Sequence, residues 1–171
     1  MSAVGLILAA LTTALQAAAP SRTVSRRYRD FADRDKTELT AGVFTLLNKG
    51  GDSGNDYADR LKLLLVGQIL LPETTPGEAV EEAELVMLDD VRRFADGVVG
   101  AQVSLGAWRQ SLQLEAPYGW IAFDLDVGPF DLSQPVDPAQ LAAFITFRAD
   151  YDLAPADGQI DATDQVTLPQ G

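Results

Sequence analysis

Arg60-Leu61-Lys62-Leu63-Leu64-Leu65-Val66-Gly67-Gln68-Ile69-Leu70 is followed, after a short turn, by Thr75-Pro76-Gly77-Glu78. The first run is apolar enough for a strand covered on both faces. The second is a helix start signal: a Thr75 cap, Pro76 at the first helical position and Glu78 three residues after the cap. Val80, Ala83, Met87, Val91, Phe94 and Val98 then recur at helical spacing and line one face. Glu81, Glu82, Asp89, Arg92, Arg93 and Asp96 fall mainly off it. A covered strand feeding an amphipathic helix predicts the centre of an α+β core, and no catalytic motif sits on it.

Upstream, Ser2 to Ala19 is rich in Ala and Leu, with Val4, Ile7, Leu8, Leu11 and Leu15 at helical spacing. Ser2 caps this predicted helix and Pro20 stops it. A secretory signal is the competing reading, but no Lys or Arg precedes Arg22. A membrane-crossing helix needs about 20 consecutive apolar residues, and Thr12, Thr13 and Gln16 interrupt the run. Thr23 to Lys36 is the strongly basic segment, in which Arg26, Arg27, Arg29 and Arg34 alternate with Asp30, Asp33 and Asp35. It reads as a solvated strand or loop, or as an electrostatic docking surface for an acidic neighbour.

Val43 to Leu47 predicts a strand, and Asn48 to Asp56 a long glycine-rich hairpin loop without regular structure. That loop lacks the Gly-x-x-x-x-Gly-Lys-Ser/Thr pattern of a phosphate loop. Downstream, Gly97 to Gly106 reads as a connection and Trp108 to Leu114 as a strand. Trp120 to Val127 is a strand with Ile121, Phe123, Leu125 and Val127 on one face and Asp124 and Asp126 on the other. Gly128 to Pro138 reads as a loop, Leu141 to Leu153 as a last strand, and residues 154–171 as a loosely ordered polar tail. The expected fold is α+β: a mainly antiparallel or mixed sheet with two principal helices on one face, forming one domain over residues 1–153.

At 171 residues the chain is long enough to bury a sizeable core without staples. Apolar residues make up 47% and charged ones 22%, and the net charge of −12 disfavours broad DNA binding. With no Cys and no His, thiol catalysis, disulfides, imidazole or thiolate zinc sites and a Ser-His-Asp triad are excluded. Asp124 and Asp126 would meet Asp150 and Asp152 if their strands paired, giving a carboxylate site, although strand alternation alone also demands polar residues there. A calcium loop at Asp157 to Asp164 fails because Leu153 and Pro155 occupy its first ligand positions. Trp108, Tyr118 and Trp120 lack the positive surroundings of a base-stacking platform. No catalytic, cofactor-binding or metal-binding residue is assigned.

The ordered segments resemble the tail terminator proteins of long-tailed bacteriophages, the minor tail protein U type. The similarity runs from the N-terminal Ala/Leu helix through Ala41-Gly42-Val43-Phe44-Thr45-Leu46-Leu47-Asn48-Lys49-Gly50-Gly51 and Asp56-Tyr57-Ala58-Asp59-Arg60-Leu61-Lys62-Leu63. It continues in the helix Glu78 to Asp96 and ends at Ala143-Phe144-Ile145-Thr146-Phe147-Arg148-Ala149-Asp150-Tyr151. The resemblance implies a non-catalytic virion protein, assembled in the host cytoplasm. It would form a hexameric ring that caps the head-proximal end of the tail tube, ends tube polymerisation and receives the neck or head-completion protein. DNA would pass through the ring without specific binding, and no membrane or cofactor is implied. Another phage neck or head-completion protein, or a secreted or periplasmic binding domain with residues 1–19 as signal peptide, are the alternative readings. Ring closure needs two different patches per subunit. Arg26, Arg27 and Arg29 are candidates for one, and Glu81, Glu82, Asp124 and Asp126 for its mate. Lys49, Gly50, Gly51, Asp52, Asn55 and Asp56 are the candidate tube-contact loop.

Overall fold

A computed structural model describes residues 2–52, 59–133 and 137–148. Ser2 accepts the Gly5 N–H (3.1 Å) and so starts helix α1, Ala3–Ala18, which ends two residues before Pro20. A three-residue strand β1, Thr23–Ser25, follows. The rest of the basic segment turns through one 3-10 turn at Phe31–Asp33. Asp35 then caps a short helix α2, Lys36–Ala41, by accepting the Thr37 N–H (2.7 Å).

Strand β2 spans Val43–Asp52 and pairs antiparallel with β3, Asp59–Leu70. The expectation that Asn48 to Asp52 holds no regular structure is thus corrected. The ladder continues through Gly50 and Gly51, and Lys49 is accommodated as an extra residue between the Asn48–Leu63 and Gly50–Lys62 pairs. The reading of β3 as covered on both faces also fails. Leu61, Leu63, Leu65 and Ile69 are buried, whereas Lys62, Leu64 and Val66 on the opposite face are only half-buried.

Helix α3 runs Gly77–Gly97, one residue later than its start signal predicts. Pro76 itself is the cap, its carbonyl accepting from Ala79 and Val80, while the Thr75 N–H donates to Pro72 (2.9 Å). The chain continues through β4, Val98–Val99, and β5, Gln102–Gln110. β5 therefore occupies the second half of the expected connection and ends where the expected strand continues, because Leu112 and Gln113 adopt left-handed φ values of 58° and 64°. Gly106 sits at an irregularity of β5, where an added Cβ would lie 3.1 Å from the Asp124 carbonyl.

Strand β6, Tyr118–Phe130, is longer than expected and carries the predicted alternation: Ile121, Phe123, Leu125 and Val127 are buried, Asp124 and Asp126 half-buried. The first four residues of the expected last strand, Leu141 to Phe144, instead end a helix, α4, Pro138–Phe144. Asp137 caps it through the Ala139 N–H (2.9 Å), and Pro138 takes the first position. Among the expected strand's described residues, β7, Thr146–Phe147, is extended and pairs with β4. Asp150, Asp152 and the 154–171 tail lie outside the described residues.

The main sheet has the order β1-β2-β3-β6-β5, antiparallel except for the parallel β1–β2 pair, so the fold is α+β with a mixed sheet. Helices α1 and α3 cover one face through Leu8, Leu11, Leu15, Met87, Val91 and Phe94, packed on Phe44, Leu65 and Phe123. Met87 approaches closest over Gly67, where a Cβ would stand 2.7 Å from Met87 Cε and 2.9 Å from Ile121 Cγ2. Gly67→Ala should therefore overpack the centre and cost about 1–2 kcal/mol, read as a lowered urea midpoint. An unchanged midpoint would mean that Met87 swings aside without loss.

Candidate assembly surface

Antiparallel register places directly opposed residues on one side of the sheet. On the face away from α1 and α3, the rungs read Val43–Gln68–Trp120, Thr45–Val66–Ala122, Leu47–Leu64–Asp124 and, nearest the hairpin end, Lys62–Asp126–Ser104. This outer face thus grades from aromatic and apolar to charged.

At the charged end, Lys49 Nζ donates to Asp124 (2.7 Å), Arg60 and Lys62 both donate to Asp126, and Lys62 lies 3.4 Å from Asp52. The hydrogen bond from Lys62, with Arg60 adding to it, holds the Asp126 carboxyl below its ordinary pKa. The same bond raises the Lys62 ammonium. Asp124 and Asp126 are therefore neutralised within the subunit. Of the acid pairing considered from sequence, Asp150 and Asp152 lie outside the described residues, and the described strand before them, β7, pairs with β4 and not with β6. No cluster of three metal-ligating side chains occurs among the described residues. Lys49, Gly50, Gly51 and Asp52 form the described base of the hairpin end; Asn55 and Asp56 lie outside the described residues.

The basic segment forms a strap. It leaves α1 at the sheet edge, where β1 pairs with β2, and passes onto the outer face. Arg34 fixes it there. Its guanidinium is buried and donates to Gln68 (2.8 Å), Thr45 (2.8 Å) and Glu38 (3.4 Å). Burial lowers the Arg34 pKa, and Glu38 opposes that effect. Phe31 packs edge-on against Tyr118 with ring centres 5.0 Å apart. Arg26, Arg27 and Arg29 are exposed on this strap. Arg26 donates to the Gly5 carbonyl (3.3 Å), and none of the three forms an ion pair among the described residues.

Helix α3, on the other side of the sheet, exposes Glu78 and Glu82, which also lack ion pairs among the described residues. Glu81 accepts the Gln113 side-chain amide. The structure thus places the sequence candidates on different elements: the arginines on the strap beside β1, Glu81 and Glu82 on α3, and Asp124 and Asp126 internally paired on β6.

Three polar residues escaped the sequence reading. Arg34 hid within a charge run. Asp90 is buried at the α1–α3 junction, bonded to Arg22 (3.0 Å) and Arg93, while Arg93 also donates to the Ala18 carbonyl (3.0 Å). Glu84 is fully buried and accepts from the Ser111 hydroxyl and the Trp120 N–H (2.9 Å). Its position could have been found, because it falls four residues after Val80 and three before Met87, inside the apolar stripe.

No helix among the described residues is long and apolar enough to cross a membrane. Comparison with protein-family models and with curated proteins finds no match to this chain.

Proposed function

We propose that the protein is a structural subunit of a long-tailed phage, a tail terminator that acts without catalysis. It closes into a hexameric ring on the head-proximal end of the tail tube and presents its other side to the neck protein. One observation carries the ring-forming part. The exposed arginines of the strap, beside edge strand β1, and the exposed Glu78 and Glu82 of α3 sit on different elements, carry opposite charge and form no ion pair among the described residues. A head-to-tail interface needs two different, complementary patches in that arrangement. The likeness of element order described above supplies the phage assignment, and the acidic net charge of −12 suits a channel that releases DNA.

Solution mass, negative-stain imaging and co-incubation with the tail tube protein test this reading. Six-fold rings with a central hole, and tubes of arrested length, are expected. A monomer that also leaves tube growth unaffected would refute it, and rings that fail to cap tubes would favour a neck protein. Replacing Arg26 and Arg27 by Glu should abolish or strongly weaken ring formation at low salt. Assembly identical to wild type would remove the strap from the interface.

A further inference from the structure

One groove lies on the outer face, and a second adjoins it at the edge of the sheet formed by β5. The first, of about 540 Å³, is lined by Tyr28, Phe31, Leu47, Leu64, Val66 and Trp120. The second, of about 570 Å³, is lined by Trp108, Arg109, Leu112 and Leu114. Trp120 and Glu115 line both, so the grooves join into one apolar trough. Its walls are not the ordinary scatter of surface hydrophobics: Trp108 is 40%, Leu112 67% and Leu114 82% exposed. Leu112 is held outward on a left-handed backbone turn, a conformation that costs energy in a non-glycine residue.

The charge of the trough narrows the occupant. Asp30 and Glu115 line the first groove, and no Lys or Arg does. The nearest buried cation, Arg34, is already matched by Glu38 and by its bonds to Gln68 and Thr45. Two carboxylates beside Tyr28, Phe31 and Trp120 make a setting for a guanidinium or ammonium group with an aliphatic stem. The chain's own residues 149–171 are a poor match, because they carry five aspartates and no Lys or Arg.

We propose that this trough docks a cationic, apolar segment of a partner protein, one Arg or Lys seated between Asp30, Glu115 and the aromatic walls and its apolar neighbours lying along Trp108, Leu112 and Leu114. The inference stands apart from ring formation, which the mass measurement reads separately.

Trp108 and Trp120 are the chain's only tryptophans, so intrinsic emission reports on the trough alone. The probe is the peptide acetyl-Leu-Arg-Leu-Arg-Phe-Arg-Leu-amide, compared with its analogue in which Glu replaces Arg. Saturable emission change is expected with the arginine peptide only. Asp30→Asn combined with Glu115→Gln should weaken it about tenfold, and Asp30→Lys with Glu115→Lys should shift preference to the glutamate peptide. Both side chains are exposed, and circular dichroism checks that the variants fold. Absence of saturation, equal response to both peptides, or indifference to the charge variants would overturn the proposal. So would emission that depends on protein concentration without peptide, since a second copy would then fill the trough.

Discussion

Arg34→Ala is expected to cost about 3 kcal/mol of stability and to release the strap from the sheet. The guanidinium is the hub of a buried network, and its three partners lie on different elements: Glu38 on α2, Thr45 on β2 and Gln68 on β3. Removing the donor leaves Thr45 and Gln68, both buried, without it, and leaves Glu38 without its cation. Breaking a buried pair from one side is more costly than its net contribution when intact, because the remaining group stays desolvated. Arg34→Lys should lie between, since a single ammonium cannot span the three acceptors that the planar fork reaches. Urea unfolding gives the stability. Trypsin gives the strap, because Arg26, Arg27 and Arg29 are its cleavage sites and should be cut faster in the alanine variant at concentrations of urea far below the midpoint. If both substitutions cost under about 1 kcal/mol and cleavage is unchanged, Arg34 is not the anchor. The consequence for function is direct: the strap carries the proposed ring patch and one wall of the apolar trough.

Residues whose periodicity reports burial were legible in the sequence. The alternation of Ile121, Phe123, Leu125 and Val127, and the helical spacing of Val80, Met87, Val91 and Phe94, name buried positions correctly. Periodicity fails where one face is partly open. Leu64 and Val66 are as apolar as Leu63 and Leu65, yet they lie on the outer face, away from α1 and α3, and are only half-buried. Glycine misled in both directions. Gly50 and Gly51 suggested a loop, but the β2–β3 ladder runs on through them, and Gly106 lies within β5 at a break in its register. The Pro138–Phe144 helix was hidden because Ala142, Ala143 and Phe144 fit an alternating strand as easily as a short helix; its start signal at Asp137-Pro138 was the better guide. The strap could not be read at all, since what holds it is a side chain contacting residues 11 and 34 positions further along the chain.

Glu84 should make the protein less stable as pH rises, and Glu84→Gln should remove that loss. Burial raises the Glu84 pKa, and the hydrogen bonds from Ser111 and Trp120 oppose the effect without cancelling it. Glu81, the acidic neighbour on the same helix, adds to the rise. Only Oε1 is engaged, and no donor among the described residues reaches Oε2, so the ionised form is poorly supported. A raised native pKa means that the folded state holds its proton more tightly than the unfolded one. The associated stability is fully present below the unfolded value of 4.5 and disappears as pH climbs through the higher native value. Asp126 has the opposite sign: its stability is present above 3.8 and is lost as pH falls through its depressed native value, so the two windows do not overlap. Glutamine keeps the accepting oxygen and the shape but cannot ionise. Unfolding midpoints from about pH 4 to pH 8 should therefore diverge between wild type and Glu84→Gln as pH rises, the glutamine variant being the more stable at neutrality. Parallel curves would show that Glu84 is not the titrating group. Glu84→Ala should instead cost about 2–4 kcal/mol at low pH, because the Ser111 hydroxyl and the Trp120 N–H lose their acceptor and a cavity opens beneath them, and that cost should shrink as pH rises. Ser111 and Trp120 also line the trough, so Glu84 links the apolar stripe of α3 to the turn that presents Leu112 and Leu114. Because Glu84 holds both Ser111 and the Trp120 N–H, tryptophan emission of the folded protein should change over the same pH range in wild type and stay flat in Glu84→Gln.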